Sequence, residues 1–261
     1  LIDHPPPSLE SPRTTREASR QGGEASFRFL EHAVDATLRA HDDPLRPVAI
    51  VTAPISKEAW ALAGHRKFPG HTELLAARYG AGRVRMMFVA PTLRVMLVTT
   101  HVPLADVPRI ITIDRVFDTI ELAHESCVRL GIPRPRIAVC GVNPHAGEAG
   151  LLGDDEARAI APAIARARAR GVDASGPWPG DTIFNAALNG RYDIVVAMYH
   201  DQGLIPVKLL AFDRAVNYSA GLPVVRTSPD HGTAFDIAGK NLADPGSMRA
   251  AIELAVRLVR G

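Results

Sequence analysis

Asp193-Ile194-Val195-Val196-Ala197-Met198-Tyr199-His200 is an apolar, strand-like run that ends on a histidine. Two further stretches repeat that placement. Val95-Met96-Leu97-Val98-Thr99-Thr100 leads to His101, and Arg136-Ile137-Ala138-Val139-Cys140-Gly141-Val142 leads through Asn143 and Pro144 to His145. Around them lie helical patterns. Phe27, Leu30, Val34 and Leu38 recur at helical spacing in residues 25–40. Val116, Phe117, Ile120, Ala123 and Cys127 do so in residues 114–130, and Met248, Ile252, Leu254, Ala255 and Leu258 in residues 246–259. Helices alternating with strands predict an α/β fold with a mostly parallel sheet covered by helices. In such a sheet the carboxyl ends of the strands line the ligand crevice.

The remaining elements follow from shorter signals. Residues 48–52 read as a strand, and 58–64 and 72–79 as short helices flanking Phe68-Pro69-Gly70-His71. Residues 84–90 and 93–100 form a hairpin through Pro91 and Thr92. Pro162 should kink or restart a helix over 154–170. A short helix is expected over 181–189 and a further strand over 207–212. Residues 1–24 are rich in Pro, Ser, Arg and Glu without a hydrophobic period, and predict an irregular segment.

Composition narrows the function classes. A chain of 261 residues can bury one large α/β unit or two lobes. The net charge of +2 is scattered, so no nucleic-acid footprint is implied; the basic run from Arg166 to Arg170 reads as a solvated helix face. Two cysteines, Cys127 and Cys140, argue against a disulfide scaffold and fit the cytoplasm. No apolar run reaches membrane-spanning length, and no signal peptide is visible. A Gly-x-Gly-x-x-Gly fingerprint, a Walker A motif and a Gly-x-Ser-x-Gly elbow are all missing.

Three strand-end imidazoles are what an open divalent-metal site with three protein ligands requires. Taken singly, each reads more readily as a hydrogen-bonded structural histidine than as a ligand. Neutral imidazoles suit Zn, Co, Ni or Mn. Asp201, next to His200, can orient a ring or a bound water, or can cap a helix, as can Asp181. Pro69-Gly70-His71-Thr72-Glu73 places an imidazole and a hydroxyl at a helix start, where backbone N–H groups favour phosphate or carboxylate; capping by Thr72 is the plainer reading. Lys208, Asn217 and Arg226 lie in loops or strand ends, and an arginine after an apolar run can fork onto an anion.

Asp230-His231-Gly232-Thr233-Ala234-Phe235-Asp236-Ile237-Ala238-Gly239-Lys240, continuing to Asp244-Pro245-Gly246-Ser247, resembles the nucleotide loop of isocitrate and isopropylmalate dehydrogenases. The full set of motifs is more similar to a relative of that group, the 4-hydroxythreonine-4-phosphate dehydrogenase family of vitamin B6 synthesis. The set comprises Thr52-Ala53-Pro54-Ile55-Ser56-Lys57, Gly70-His71-Thr72-Glu73, Thr99-Thr100-His101-Val102-Pro103-Leu104, Gly141-Val142-Asn143-Pro144-His145-Ala146-Gly147-Glu148, Ala197-Met198-Tyr199-His200-Asp201-Gln202-Gly203, and Val216-Asn217 through Arg226-Thr227-Ser228. The resemblance runs in order from about residue 22 to the carboxyl terminus.

That resemblance implies a two-lobed α/β/α fold with the active site in the inter-lobe cleft. Residues 25–83 plus 221–261 would form the lobe with the nucleotide loop, and 84–220 the lobe with the metal ligands. It implies a homodimer with a shared active site and a divalent metal (Zn, Co, Mg or Mn) on His101, His145 and His200. Substrate contacts would fall on His71, Thr72, Lys208, Asn217 and Arg226. Cofactor contacts would fall on His231, Gly232, Thr233, Asp236, Ile237 and Asp244. The implied reaction is NAD-linked oxidation of a β-hydroxy acid with the metal as Lewis acid, followed by loss of CO2. The substrate would be 4-phosphooxy-threonine, giving 3-amino-2-oxopropyl phosphate. The same chemistry on 4-phosphothreonate, 4-phosphoerythronate or an aromatic carboxylate dihydrodiol is the alternative. Lys208, Asp201 and Asp181 are candidates for moving protons. Asp236 and Ile237 stand where NADP-dependent relatives place Lys and Tyr, and a carboxylate there favours NAD.

The chain departs from the pattern twice. The family opens with a strand and a Gly-Asp-Pro-Ala-Gly turn, which residues 1–24 lack, so the first strand of the fold is expected to be missing here. Ser56 replaces the usual Asn. Rival readings are a non-catalytic metal- or metabolite-binding protein and an acyl-phosphate transferase; the three histidines and the Asp236 loop argue against both.

Overall fold

The computed structural model describes residues 17–261, and the irregular stretch expected for residues 1–16 lies outside the described residues. Ser19 accepts a hydrogen bond from Gly22 N–H and so caps the first helix, α1 (Arg20–Thr37). The irregular segment expected up to residue 24 therefore ends at this cap. The chain continues through β1 (Ala49–Val51), α2 (Lys57–Leu62), α3 (His71–Tyr79), β2 (Arg85–Val89), β3 (Arg94–Leu97), α4 (Val107–Ile110) and α5 (Ile113–Arg129). It goes on with β4 (Ile137–Cys140), α6 (Ala161–Ala169), β5 (Ala174–Trp178), α7 (Ile183–Leu188) and β6 (Ile194–Ala197). It closes with α8 (His200–Ala211), β7 (Val216–Ala220), β8 (Val225–Pro229) and α9 (Gly246–Arg260).

Among the described residues, eight strands join one sheet in the order β1-β8-β7-β2-β3-β6-β4-β5. Four of the seven pairings are parallel; the antiparallel ones run from β8 through β7 and β2 to β3. The expected hairpin is β2–β3, closed by Ala90 N–H donating to Leu93 C=O at 2.9 Å. The period of two divides the strand residues between two faces. Met87, Met96, Val139 and Val196 turn toward α5, α6 and α9, while Phe88, Val95, Ala138 and Val195 turn toward α7 and α8. Helices thus cover both faces, as an α/β/α fold requires. A third apolar cluster packs Leu30, Val34, Trp60, Leu74 and Leu75 of α1–α3 against Ile50, Leu222 and Val224.

Two expectations change. Residues 207–212 are not a strand: 207–211 complete α8. Gly203, Leu204 and Val207 form its buried face, and a Cβ on Gly203 would stand 2.6 Å from Leu97, so α8 lies close over β3. The rest of that apolar run (Leu209, Leu210, Phe212) faces solvent in the single chain. The helix over 154–170 is interrupted as expected: a π turn over Glu156–Ile160 precedes α6, and Pro162 sits in the first turn of α6, where no N–H is needed. Among the described residues no helix is long and apolar enough to cross a membrane.

Candidate active site

β3, β6 and β4 are adjacent and parallel, so His101, His200 and His145 leave the sheet at one edge. The exits are tied together. Thr99 donates from its amide (3.1 Å) and hydroxyl (2.8 Å) to Met198 C=O. Gln202 accepts from Met198 N–H at 2.7 Å and donates to Gly141 C=O at 2.8 Å, which clamps the β6 exit to the β4 exit. The ring centroids of His101 and His200 lie 5.6 Å apart. Asp201 did not become a cap, since Tyr199 holds that position; its carboxylate binds His200 Nδ1 at 2.7 Å and orients the ring. Burial, then the charge of Lys57, holds His101 below its usual pKa and so neutral, the form that binds metals.

His145 stands apart. It is 69% exposed, 3.1 Å from Glu148, and lines an adjoining hollow of about 620 Å³ with Asp181, Tyr199, Asp201 and Gln202. Among the described residues no three His, Cys, Asp or Glu side chains converge as a metal site within one chain. Placement at one sheet edge is as expected, but only two of the three imidazoles meet in a single copy.

His101 and His200 open into a cleft of about 790 Å³ that also gathers His71, Thr72, Lys208, Asn217, Arg226, His231 and Gly232. Arg226 forms its floor at 3% exposure. Its guanidinium donates to Thr52 Oγ1 (2.7 Å), Ser219 Oγ (3.1 Å) and His71 Nδ1 (3.1 Å). Among the described residues no carboxylate pairs with it, its Nε has no partner, and burial pushes its pKa down to about 10. The buried Oδ1 of Asn217 is likewise without a partner. A buried cation without a counter-ion is costly, and a bound anion removes that cost. Lys208 reaches in from α8, where it donates to Asp230 C=O at 2.9 Å and pairs with the Asp230 carboxylate at 2.7 Å.

Thr72 does not cap α3. Gly70 is the cap residue and contributes no side chain, so the Thr72 hydroxyl stays on the cleft wall. Sequence reading missed Lys57 and Glu73 as cleft residues and Thr52 as an acceptor for Arg226. Each sits inside a quoted motif, and the signal for Lys57 was its place directly after Ser56, which caps α2 by accepting from Ala59 N–H at 3.1 Å. Thr233, Asp236, Ile237 and Asp244 line neither hollow. Asp236 is exposed on a 3-10 turn, and Asp244 accepts from Gly246 N–H at 2.8 Å where α9 begins.

His71 supplies a pH signature. Burial, then the charge of Arg226, pushes its pKa down to about 3. Between about pH 6.5 and 3 the unfolded chain binds a proton there that the folded chain does not. Stability from this group is complete above pH 6.5 and falls with acid, by up to about 1.4 kcal/mol per pH unit. Acid titration of the unfolding midpoint should therefore be shallower in His71→Asn across that window; equal slopes in the two proteins would refute the assignment.

The family described as pyridoxal phosphate biosynthetic protein PdxA matches residues 5–255. A 4-hydroxythreonine-4-phosphate dehydrogenase of Geobacter metallireducens is 54% identical over 238 residues, covering 91% of this chain and 68% of that protein. A D-threonate 4-phosphate dehydrogenase of Cupriavidus necator is 53% identical, covering 92% of this chain and 72% of that one. The crystal structure of 4-hydroxythreonine-4-phosphate dehydrogenase from Klebsiella pneumoniae superposes with a TM-score of 0.88 at 46% identity, over 100% of this chain and 76% of that one.

Proposed function

Because the chain belongs to the family of pyridoxal phosphate biosynthetic protein PdxA, we propose that it is a metal-dependent, NAD-linked dehydrogenase of a phosphorylated β-hydroxy acid. The preferred substrate is 4-phosphooxy-threonine, oxidised and decarboxylated to 3-amino-2-oxopropyl phosphate. The observation that carries this reading is the buried Arg226, without a carboxylate partner, on the floor of a cleft whose mouth holds His101 and His200. Arg226, His71, Thr72, Lys208 and Asn217 would bind the phosphate and place the hydroxyl-bearing carbon near the two histidines. His101 and His200 suit a divalent ion, being neutral or carboxylate-oriented imidazoles.

When bound, the ion supplies Lewis-acid polarisation of the substrate oxygen. The third ligand would be His145 of a second copy, which accounts for its exposure and for the solvent-facing Leu209 and Phe212. Catalysis would then belong to a homodimer with its site shared between copies. Asp201, held against His200, or Asp181, across the adjoining hollow, would take the hydroxyl proton, and Lys208 would return one. The two cysteines are buried free thiols that burial pushes to high pKa, as suits a cytoplasmic enzyme.

The test is NADH absorbance on adding NAD, divalent metal and 4-phosphooxy-threonine to the purified protein. A metal-dependent rise is expected; no rise with any phosphorylated β-hydroxy acid would leave a binding protein. The Cupriavidus relative's name favours a second reading, 4-phosphothreonate, and the same assay ranks the two by kcat/KM. Cofactor choice gives a separate prediction. The exposed Asp236 carboxylate would repel a 2′-phosphate, so kcat/KM should favour NAD over NADP by about tenfold or more even after screening. Asp236→Lys should narrow that ratio; faster turnover with NADP in the parent protein would sink the assignment.

A further inference from the structure

Glu156 is only 5% exposed and has no part in the chemistry above. It opens the π turn before α6, yet its side chain turns back to the loop that carries His145. Oε1 accepts from the backbone N–H groups of Val142 and Asn143, both at 2.8 Å, and Oε2 accepts from Asn143 Nδ2 at 3.0 Å. The loop is shaped around this carboxylate. A Cβ on Gly141 would stand 2.9 Å from Oε1, and one on Gly147 would stand 2.7 Å from Oε2.

Just past the anchored amides, five consecutive residues, His145 to Ala149, have φ between 43° and 84°, and four of them are not glycine. Left-handed backbone of this kind persists only where its surroundings over-determine it. Glu156 provides that constraint on the side where the turn begins. Its neighbour Asp155 accepts from Asn143 Nδ2 at 3.1 Å and pairs with Arg158. Arg158 donates to Pro108 C=O (2.9 Å) and Ile111 C=O (3.2 Å) in the segment that follows His101. One turn of chain therefore holds the His145 loop and braces the segment beyond His101.

We infer that Glu156 is the positioning residue for His145: its buried carboxylate fixes the left-handed turn that presents the imidazole to the metal. With three donors already satisfied, the carboxylate is neither a ligand nor a base. The inference rests on the reading of His145 as a ligand, so its test includes His145 itself. Glu156→Gln puts an N–H donor opposite Asn143 Nδ2 or exchanges it with the amides, and Gly147→Ala pushes on the same carboxylate from the loop side.

Calorimetric titration of the metal-free, full-length protein with Co²⁺ is the first readout. The Co²⁺ absorption spectrum and the split of kcat from KM for NAD are the others. Glu156→Gln and Gly147→Ala should fold with a lowered unfolding midpoint, bind Co²⁺ about 10- to 100-fold more weakly, and lose kcat at unchanged KM. If both bind Co²⁺ like the parent while His145→Ala does not, the inference is overturned and the ligand reading stands. If His145→Ala also binds like the parent, the ligand reading fails and takes the inference with it. If Glu156→Gln does not fold, Gly147→Ala decides: parent-like affinity there reduces Glu156 to a fold residue.

Discussion

Arg226→Met should abolish turnover and leave the protein as stable as before, or more so. Truncating a buried, hydrogen-bonded charge that meets a charged partner typically costs 2–5 kcal/mol of binding. For a phosphate seated on Arg226, kcat/KM should fall by about 10³-fold, or roughly 4 kcal/mol. Stability should move the other way. In the free protein the guanidinium is desolvated, its Nε is unpaired, and burial already pushes its pKa down to about 10. Replacing an unpaired buried charge by an apolar side chain of similar length removes its desolvation cost, which offsets the lost hydrogen bonds to Thr52, Ser219 and His71. Inorganic phosphate should raise the unfolding midpoint of the parent protein and not of Arg226→Met. Activity within tenfold of the parent, or equal stabilisation of both proteins by phosphate, would show that Arg226 is not the anion site.

Mixing two dead enzymes should yield a live one. His101→Ala and His145→Ala each remove a proposed ligand, and each alone should lose activity by orders of magnitude. In one chain His101 sits beside His200, while His145 lies on a separate hollow. If the site takes His145 from a second copy, a mixed dimer carries both defects in one site and none in the other. Random exchange then makes about half the dimers mixed, and about a quarter of parental activity returns. His101→Ala mixed with His200→Ala should recover nothing, because each site of the mixed dimer then lacks one of the two histidines. No recovery in the first pair would place all three histidines in one copy, and recovery in the second would place His101 and His200 in different copies.

Much of this could be read from the chain. Runs such as residues 193–199 carry their period openly, so the strands at the site edge and their histidines were legible. The strand proposed for 207–212 was misread because apolar content alone does not separate a core strand from a helix that turns Leu209 and Phe212 outward. Asp201 could be read as cap or ring-orienter, and only the 2.7 Å contact with His200 decides. The lack of an ion-paired carboxylate at Arg226 is a property of neighbours drawn from the end of β1, from β7 and from α3, far apart in sequence. No local pattern announces it. The Glu156 anchor is hidden for the same reason: its partners lie 13 and 14 residues away, across a turn whose handedness spacing does not reveal.

The strand order has a consequence for biosynthesis. β3 and β4 leave the ribosome well before β6, yet neither touches the other in the finished sheet; β6 is the plank between them. Until residues 194–197 emerge, Leu97 and Val139 border an open slot with unpaired backbone on both sides. Closing it joins segments about a hundred residues apart, an entropically slow step. Nascent chains halted before Ile194 should therefore be the most aggregation-prone and the most dependent on chaperones, and the histidine edge should be among the last parts of the molecule to take shape.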